Sequence, residues 1–174
     1  MANQIPEKLI NFRVYNDNQD LLGIADVTMP TISYMTDSVS GAGVAGEVDS
    51  PVMGHFQSMT VSMNWRTVNS ALTGLVRFRG HALELRGAQQ IYDSGTSEWR
   101  AQPLKVVLRA MPKSGNLGTL NVGVSAGATT EHEVVYLKVD VDDKTVLEID
   151  KYNFICNIDG TDYLASVKSA LGLS

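Results

Sequence analysis

The stretch MTVSMNW, residues 59–65, alternates strictly between large apolar and small polar side chains. Successive side chains of a β-strand point to opposite faces, so this pattern predicts a strand that is buried on one side only. The predicted buried face carries Met59, Val61, Met63 and Trp65. The opposite face carries Thr60, Ser62 and Asn64.

Shorter stretches with strand character recur along the chain, separated by turn residues. The clearest are residues 9–15, 21–28, 81–92, 98–111, 133–141, 146–150 and 154–158. Helical character is confined to residues 68–76, with Asn69 or Ser70 as N-cap, and to residues 162–172, where Gly172 ends the helix. The pattern predicts a mainly β fold: an antiparallel sandwich or barrel with one or two short helices, made by a single domain over residues 1–174.

One segment, residues 37–54, shows no lasting periodicity. Gly41, Gly43 and Gly46 interrupt it, and Pro51 follows. Glycine-rich segments without a repeating apolar position are typical of loops. We therefore predict a long glycine-rich loop that is mobile in the isolated subunit.

The charge of the chain argues against nucleic-acid binding. The formal net charge is −5 over 174 residues, and the densest basic stretch is Arg77-Phe78-Arg79. A protein that holds nucleic acid by its phosphates needs a basic face, so any relation to DNA would be one of passage. No apolar stretch approaches the roughly 20 residues of a transmembrane helix, and no signal peptide is evident. The sequence therefore predicts a protein kept in a cytoplasm.

Three motif matches do not withstand inspection of their context. GAGVAG at residues 41–46 has the letters of a dinucleotide-binding loop, but no buried strand precedes it and no helix can follow it. GVSAG at residues 123–127 resembles a nucleophile elbow, yet its only later histidine is His132, just seven residues on. DVDDK at residues 140–144 begins like a calcium loop but lacks the required glycine. We expect no catalytic activity, no cofactor and no metal.

A series of motifs along the chain points to a structural role instead. In the order of these motifs, and over nearly its whole length, the chain resembles the major tail tube proteins of contractile-tailed phages and related phage-tail-like particles. The C-terminal third is the most specific part, because four motifs occur there in register. The motifs are Lys8–Phe12, Tyr15–Asp17, Asp26–Ile32, Gly41–Asp49, Leu104–Lys113, Tyr136–Asp140, Leu147–Asp150, Asn157–Leu164 and Leu171–Leu173.

The resemblance implies a ring-forming subunit of a virion tail, assembled in the bacterial host cytoplasm. Hexameric rings would stack into a hollow tube inside a contractile sheath, with inner strands of all subunits joined into one barrel around the lumen. The implied partners are further copies of the chain, the tail sheath protein, and the baseplate and tail terminator proteins. DNA would be a passing cargo.

Two sets of residues follow as site predictions. We predict that the glycine loop contacts the next ring through Gly41, Gly43, Gly46, Glu47 and Asp49. We also predict that a polar face lines the lumen, where carboxylates would repel DNA phosphates. That face comprises Thr60, Ser62 and Asn64, with Glu131 and Glu133 from a later strand.

Two alternative functions remain open at this stage. The first is the tube protein of a DNA-free contractile bacteriocin or secretion-system particle, which sequence barely separates from a phage tube. The second is a small β-sandwich that binds a sugar or peptide as a monomer. The second predicts an exposed aromatic cluster, whereas aromatic residues are only 7% of this chain and are dispersed.

Overall fold

A computed structural model describes residues 4–173, which form twelve strands and two short helices. Residues 1–3 and 174 of the predicted domain lie outside the described residues. The elements are β1 (Gln4–Asn16), β2 (Gln19–Asp20), β3 (Ile24–Thr28), β4 (Tyr34–Ser40), β5 (Glu47–Phe56), β6 (Thr60–Trp65), α1 (Ser70–Leu75), β7 (His81–Asp93), β8 (Glu98–Asn116), β9 (Ala128–Val141), β10 (Lys144–Asp150), β11 (Ile155–Ile158), β12 (Thr161–Asp162) and α2 (Ala165–Leu171). Every strand pair is antiparallel, which confirms the predicted fold class.

The main sheet divides at β9. Along one edge β9 pairs with β8, and the path continues through β7 and β1 to β2. The other edge is shared, because residues 128–133 pair with β6 and residues 136–141 pair with β10. Beyond β6 lies β3, and beyond β10 lie β11 and β12. The sheet is therefore forked at β9, with one branch that contains β6 and β3 and another that contains β10, β11 and β12.

The apolar face of β6 lies at the centre of the core, as the alternation predicts. Met59, Val61, Met63 and Trp65 are each 1% exposed or less. They belong to a cluster with Leu83 and Leu108, among others. The indole N–H of Trp65 donates to Thr130 Oγ1 at 3.0 Å, so the one polar atom of this side chain is satisfied. Each such side chain contributes roughly 1.5–3 kcal/mol by leaving water.

The two helices lie where the sequence predicts them, with shorter limits. Asn69 caps α1 by accepting from the Leu72 N–H at 2.9 Å, and the helix buries Leu72 and Leu75. Helix α2 ends as expected at Gly172, which adopts φ of 70°, but it begins at Ala165 because Thr161 and Asp162 pair with β11. Neither helix within residues 4–173 is long and apolar enough to cross a membrane.

The predicted loop at residues 37–54 is wrong as secondary structure. Most of it forms an antiparallel hairpin, β4–β5, in a two-stranded sheet separate from the main one. Only residues 41–46 form a turn, and there the three glycines adopt positive φ of 122°, 92° and 128°. All residues of β4 are exposed, so no apolar position repeats against a core and the usual sequence signal of a strand is weak.

Two histidines are buried against each other beneath α1. The rings of His81 and His132 meet edge to face with centroids 5.8 Å apart. His132 Nε2 donates to the Leu75 carbonyl at 3.1 Å, while within residues 4–173 both Nδ1 atoms lack a hydrogen-bond partner. Burial lowers the pKa of His132 and His81 lowers it further, outweighing the opposite effect of the Leu75 carbonyl. The folded protein therefore holds His132 neutral.

We predict that this histidine makes folding weaken in mild acid. Because the pKa of His132 is below its ordinary value of 6.5 in the folded state, the unfolded chain takes up its proton first as the pH falls. The stability should be at its full value well above pH 6.5 and should decrease over the interval in which the pH falls through 6.5, as measured by urea midpoints. In His132→Gln, which cannot titrate, the midpoint should change less over this interval. An equal decrease in both proteins would contradict the assignment.

Candidate assembly surfaces

The predicted lumen residues occupy one continuous polar face. Strands β6 and β9 pair so that Thr60 faces Glu133 and Ser62 faces Glu131, and cross-strand partners project to the same side. All five predicted residues thus lie on the side of the fork opposite the core. Strand β3 extends the same face, because Asp26 pairs with Asn64 and Thr28 with Ser62. We call this surface the polar face.

Glu133 forms hydrogen bonds and ion pairs within the chain. Its carboxylate accepts from Lys151 Nζ at 3.1 Å, from the Ser58 hydroxyl at 2.5 Å and from the Met59 N–H at 3.2 Å. Lys113 Nζ lies 3.9 Å away on the other side. Burial alone would raise the pKa of Glu133, but the hydrogen bonds from Ser58 and Lys151 outweigh it and lower the pKa. Glu133 is therefore ionised, and its charge is matched by neighbouring lysines.

The rest of the polar face carries weaker contacts. Glu131 accepts from the Ser114 hydroxyl at 3.0 Å, and Asn64 donates to Asp26. Thr60 accepts from Lys113 at 3.0 Å. Among residues 4–173, neither Glu131 nor Asp26 has a cation within ion-pair distance. The unmatched negative charge of this part of the face therefore comes from these two carboxylates and not from Glu133.

The hairpin β4–β5 has two different faces. Val39 pairs with Val48, and alternation places Asp37 and Ser50 on the same side. The other side carries Ser38, Ser40, Glu47 and Asp49, with the Ser38 hydroxyl donating to Glu47 at 2.6 Å. Val39 and Val48 are 45% and 54% exposed. The hairpin is thus an acidic ribbon with an uncovered apolar side.

The predicted inter-ring residues divide between the turn and one side of this ribbon. Gly41, Gly43 and Gly46 lie in the turn with open space around them, so their positive φ, and not crowding, requires glycine. Glu47 and Asp49 lie together on the polar side of the hairpin. Where the hairpin meets the main body, Gly54 packs against Leu164, and an added Cβ would approach Leu164 Cδ2 to 2.1 Å.

The structure also exposes apolar side chains that the sequence analysis did not select. Phe78 is fully exposed in the turn after α1, between Arg77 and Arg79. Leu120 and Val122 are almost as open in the loop between β8 and β9. An aromatic residue between two arginines, outside any apolar repeat, was the available sequence signal for Phe78. From the sequence alone this stretch is distinguished only by its basic residues.

The rejected motifs occupy turns. Residues 41–46 connect two strands, where a dinucleotide site would require a helix. Ser125, in the loop between β8 and β9, donates its hydroxyl to the Arg66 carbonyl at 2.9 Å. Asp142 and Asp143 form the two-residue turn between β9 and β10, with φ of 53° and 61°. Positive φ at both positions is the geometry of a type I′ hairpin.

Comparison with known proteins finds relatives over nearly the whole chain. The chain is 32% identical over 171 residues to the major tail tube protein of Serratia phage KSP20, covering 97% of this chain and 98% of the relative. It is 26% identical over 174 residues to the tail tube protein of Escherichia phage P2, covering 97% and 99%.

A solved structure shares the fold. It is a cryo-EM structure of an extracellular contractile injection system, the PVC sheath/tube terminator in the extended state, with a TM-score of 0.55 and 13% identity. The match covers 80% of this chain and 99% of that chain. The model of the phage tail tube protein FII family matches residues 6–172, and the chain therefore belongs to that family.

Proposed function

We propose that this chain is the repeating subunit of a contractile tail tube, in which hexameric rings stack into a hollow tube. The observation that carries the proposal is the β4–β5 hairpin, which stands apart from the main sheet with its apolar side uncovered. A two-stranded hairpin is only marginally stable in water, so it needs a surface to cover it. Stacked copies of the same chain supply that surface.

Open strand edges support the same proposal. Strand β1 pairs with β7 on one edge, but on the other edge it pairs with β2 only at Tyr15 and Asn16. Among the described residues, residues 4–13 thus have no strand partner on this second edge, and Leu9 and Ile10 in this stretch are exposed. Long open edges promote association with other strands. In a closed ring, neighbouring subunits occupy them.

The other partners follow from a tube of this kind. The tube runs inside a tail sheath, is built from a baseplate and is closed by a terminator protein, and in the virion tail it conducts DNA. Support comes from the names of the relatives, which are tail tube proteins of phages. In this role the chain has no catalytic function.

We predict that substitutions in the hairpin turn block stacking but not folding. Replacing Gly41, Gly43 and Gly46 by Val forces β-branched residues into positive φ, which only glycine adopts readily. Rings or folded monomers should remain by circular dichroism, whereas tubes should be absent by negative-stain microscopy and sedimentation. Gly160→Val is the control, because Gly160 also has positive φ and open space but lies outside the hairpin. Tubes of ordinary length from the triple variant would refute an inter-ring role.

The polar face is proposed to line the channel. Its β6 residues, Thr60, Ser62 and Asn64, are small and uncharged, and Glu131 and Asp26 add carboxylates that have no ion pair within residues 4–173. Repeated around a ring, such a surface offers DNA phosphates no attractive contact and repels them at short range.

We predict that lysines on this face slow DNA passage. The double variant Ser62→Lys, Asn64→Lys should assemble nearly normally, because both side chains are half-buried on the face away from the core, and surface substitutions usually change stability by about 0.5 kcal/mol or less. Genome ejection from the corresponding phage should slow or stop, since each ring would present repeated cations to phosphate. Ser62→Thr with Asn64→Gln is the uncharged control. Normal ejection by the lysine variant, or a tube structure with both residues on the outer wall, would contradict the proposal.

A further inference from the structure

The turn between α1 and β7 presents an apolar notch with a basic rim. Phe78, Arg79, Gly80, Met111 and Pro112 line it, and Phe78 is fully exposed. Arg79 pairs with Asp17 at 3.2 Å. Arg77 has no ion pair among residues 4–173. We call this surface the Phe78 notch.

The hairpin has the complementary composition. Residues 34–56 contain Asp37, Glu47 and Asp49 and no lysine or arginine. Its apolar side centres on Val39 and Val48, and Asp37 lies beside them on that side. An apolar centre with a charged rim is the usual anatomy of a protein interface, and opposite charges on two rims favour one pairing over others.

Within one chain these two surfaces do not cover each other. Phe78 is fully exposed and every residue of β4 is exposed, so neither is buried by the other. Each leaves apolar side chains in water that a second copy would bury, and burial of a phenylalanine contributes about 1.5–3 kcal/mol. The notch also adjoins the polar face, because Met111 is the cross-strand partner of Glu133.

We infer that the Phe78 notch of one copy receives the β4–β5 hairpin of another, with Asp37 near Arg77 and the valines against Phe78. This inference rests on the proposed tube assembly and names the surface that the hairpin contacts. A tube built in this way places a hairpin–notch contact at the border of the polar face in each subunit. The contact then seals adjacent rings next to the channel.

Cysteine cross-linking between two separately purified variants tests the contact. Asp37→Cys mixed with Arg77→Cys should give a disulfide-linked dimer under mild oxidation at assembling concentrations. The native Cys156 does not interfere, because it is buried and burial raises the pKa of its thiol. Two controls pair Asp37→Cys with Lys144→Cys, at the exposed start of β10, or with Met29→Cys, beside the apolar groove of Leu9 and Val27.

Charge reversal provides an independent measurement. Arg77→Glu and Asp37→Lys should each raise the concentration needed for tube formation by about tenfold, and the double variant should restore much of it. Circular dichroism checks that each variant folds, as is expected at exposed sites.

The outcomes separate the two proposals. The hairpin–notch contact is overturned if tubes form and Asp37→Cys cross-links to Lys144→Cys or Met29→Cys but not to Arg77→Cys. It is also overturned if Arg77→Glu does not change the concentration needed for tube formation. Either result leaves the tube function intact. If the wild-type chain forms neither rings nor tubes, the proposed function fails and the contact fails with it.

Discussion

Strand β9 is paired along both edges, and one of those edges is divided between β6 and β10. The division falls at residues 134–135, where Val134 donates to the Met59 carbonyl at 2.7 Å and Val135 accepts from the Lys151 N–H at 3.0 Å. The placement of the core and of the polar face depends on this division of β9. The core face of β9 holds His132 and Val134 against β6, and its other face forms the middle of the polar face.

The same division determines where the hairpin leaves the body. Its last strand, β5, ends at Phe56, just before the segment in which Gln57 accepts from Lys151 and Ser58 donates to Glu133. Lys151 and Glu133 therefore join the base of the hairpin to both branches of the fork. The hairpin is thus anchored at its base, while its apolar side is uncovered. This arrangement suits an element that contacts another subunit. The main body determines where the hairpin begins, and in the proposed assembly a second copy of the chain stabilises it.

Charge is distributed unevenly among the three surfaces. On the polar face the lysines at positions 113 and 151 neutralise Glu133, whereas Glu131 and Asp26 remain without a cation within residues 4–173. The hairpin carries only acidic groups, and the Phe78 notch carries arginines. The net charge of −5 is therefore a sum over surfaces of opposite sign, because the Phe78 notch is basic and the hairpin is acidic.

The sequence by itself determined the features that depend on local period and local caps. The alternation of residues 59–65 specifies which side of β6 is buried, because a one-residue change of register would expose Met59, Val61, Met63 and Trp65 together. Asn69 and Gly172 specify a helix start and a helix end through contacts within a few residues. The pattern of short strands and turns also predicted the mainly β architecture, and the family resemblance added the expectation of stacked rings.

Only the tertiary structure decided the pairing of edges and charges. Residues 114–116 continue β8 in a glycine- and serine-rich stretch because they pair with Thr129, Thr130 and Glu131, which no local propensity predicts. The β4–β5 hairpin was not predicted, because a ribbon exposed on both sides has no apolar repeat against a core. Glu133 acquires its lysines from β8 and from the turn that follows β10. Such contacts depend on which segments the fold brings together. Sequence patterns reflect only the interactions between residues that are close along the chain, so they do not predict these contacts.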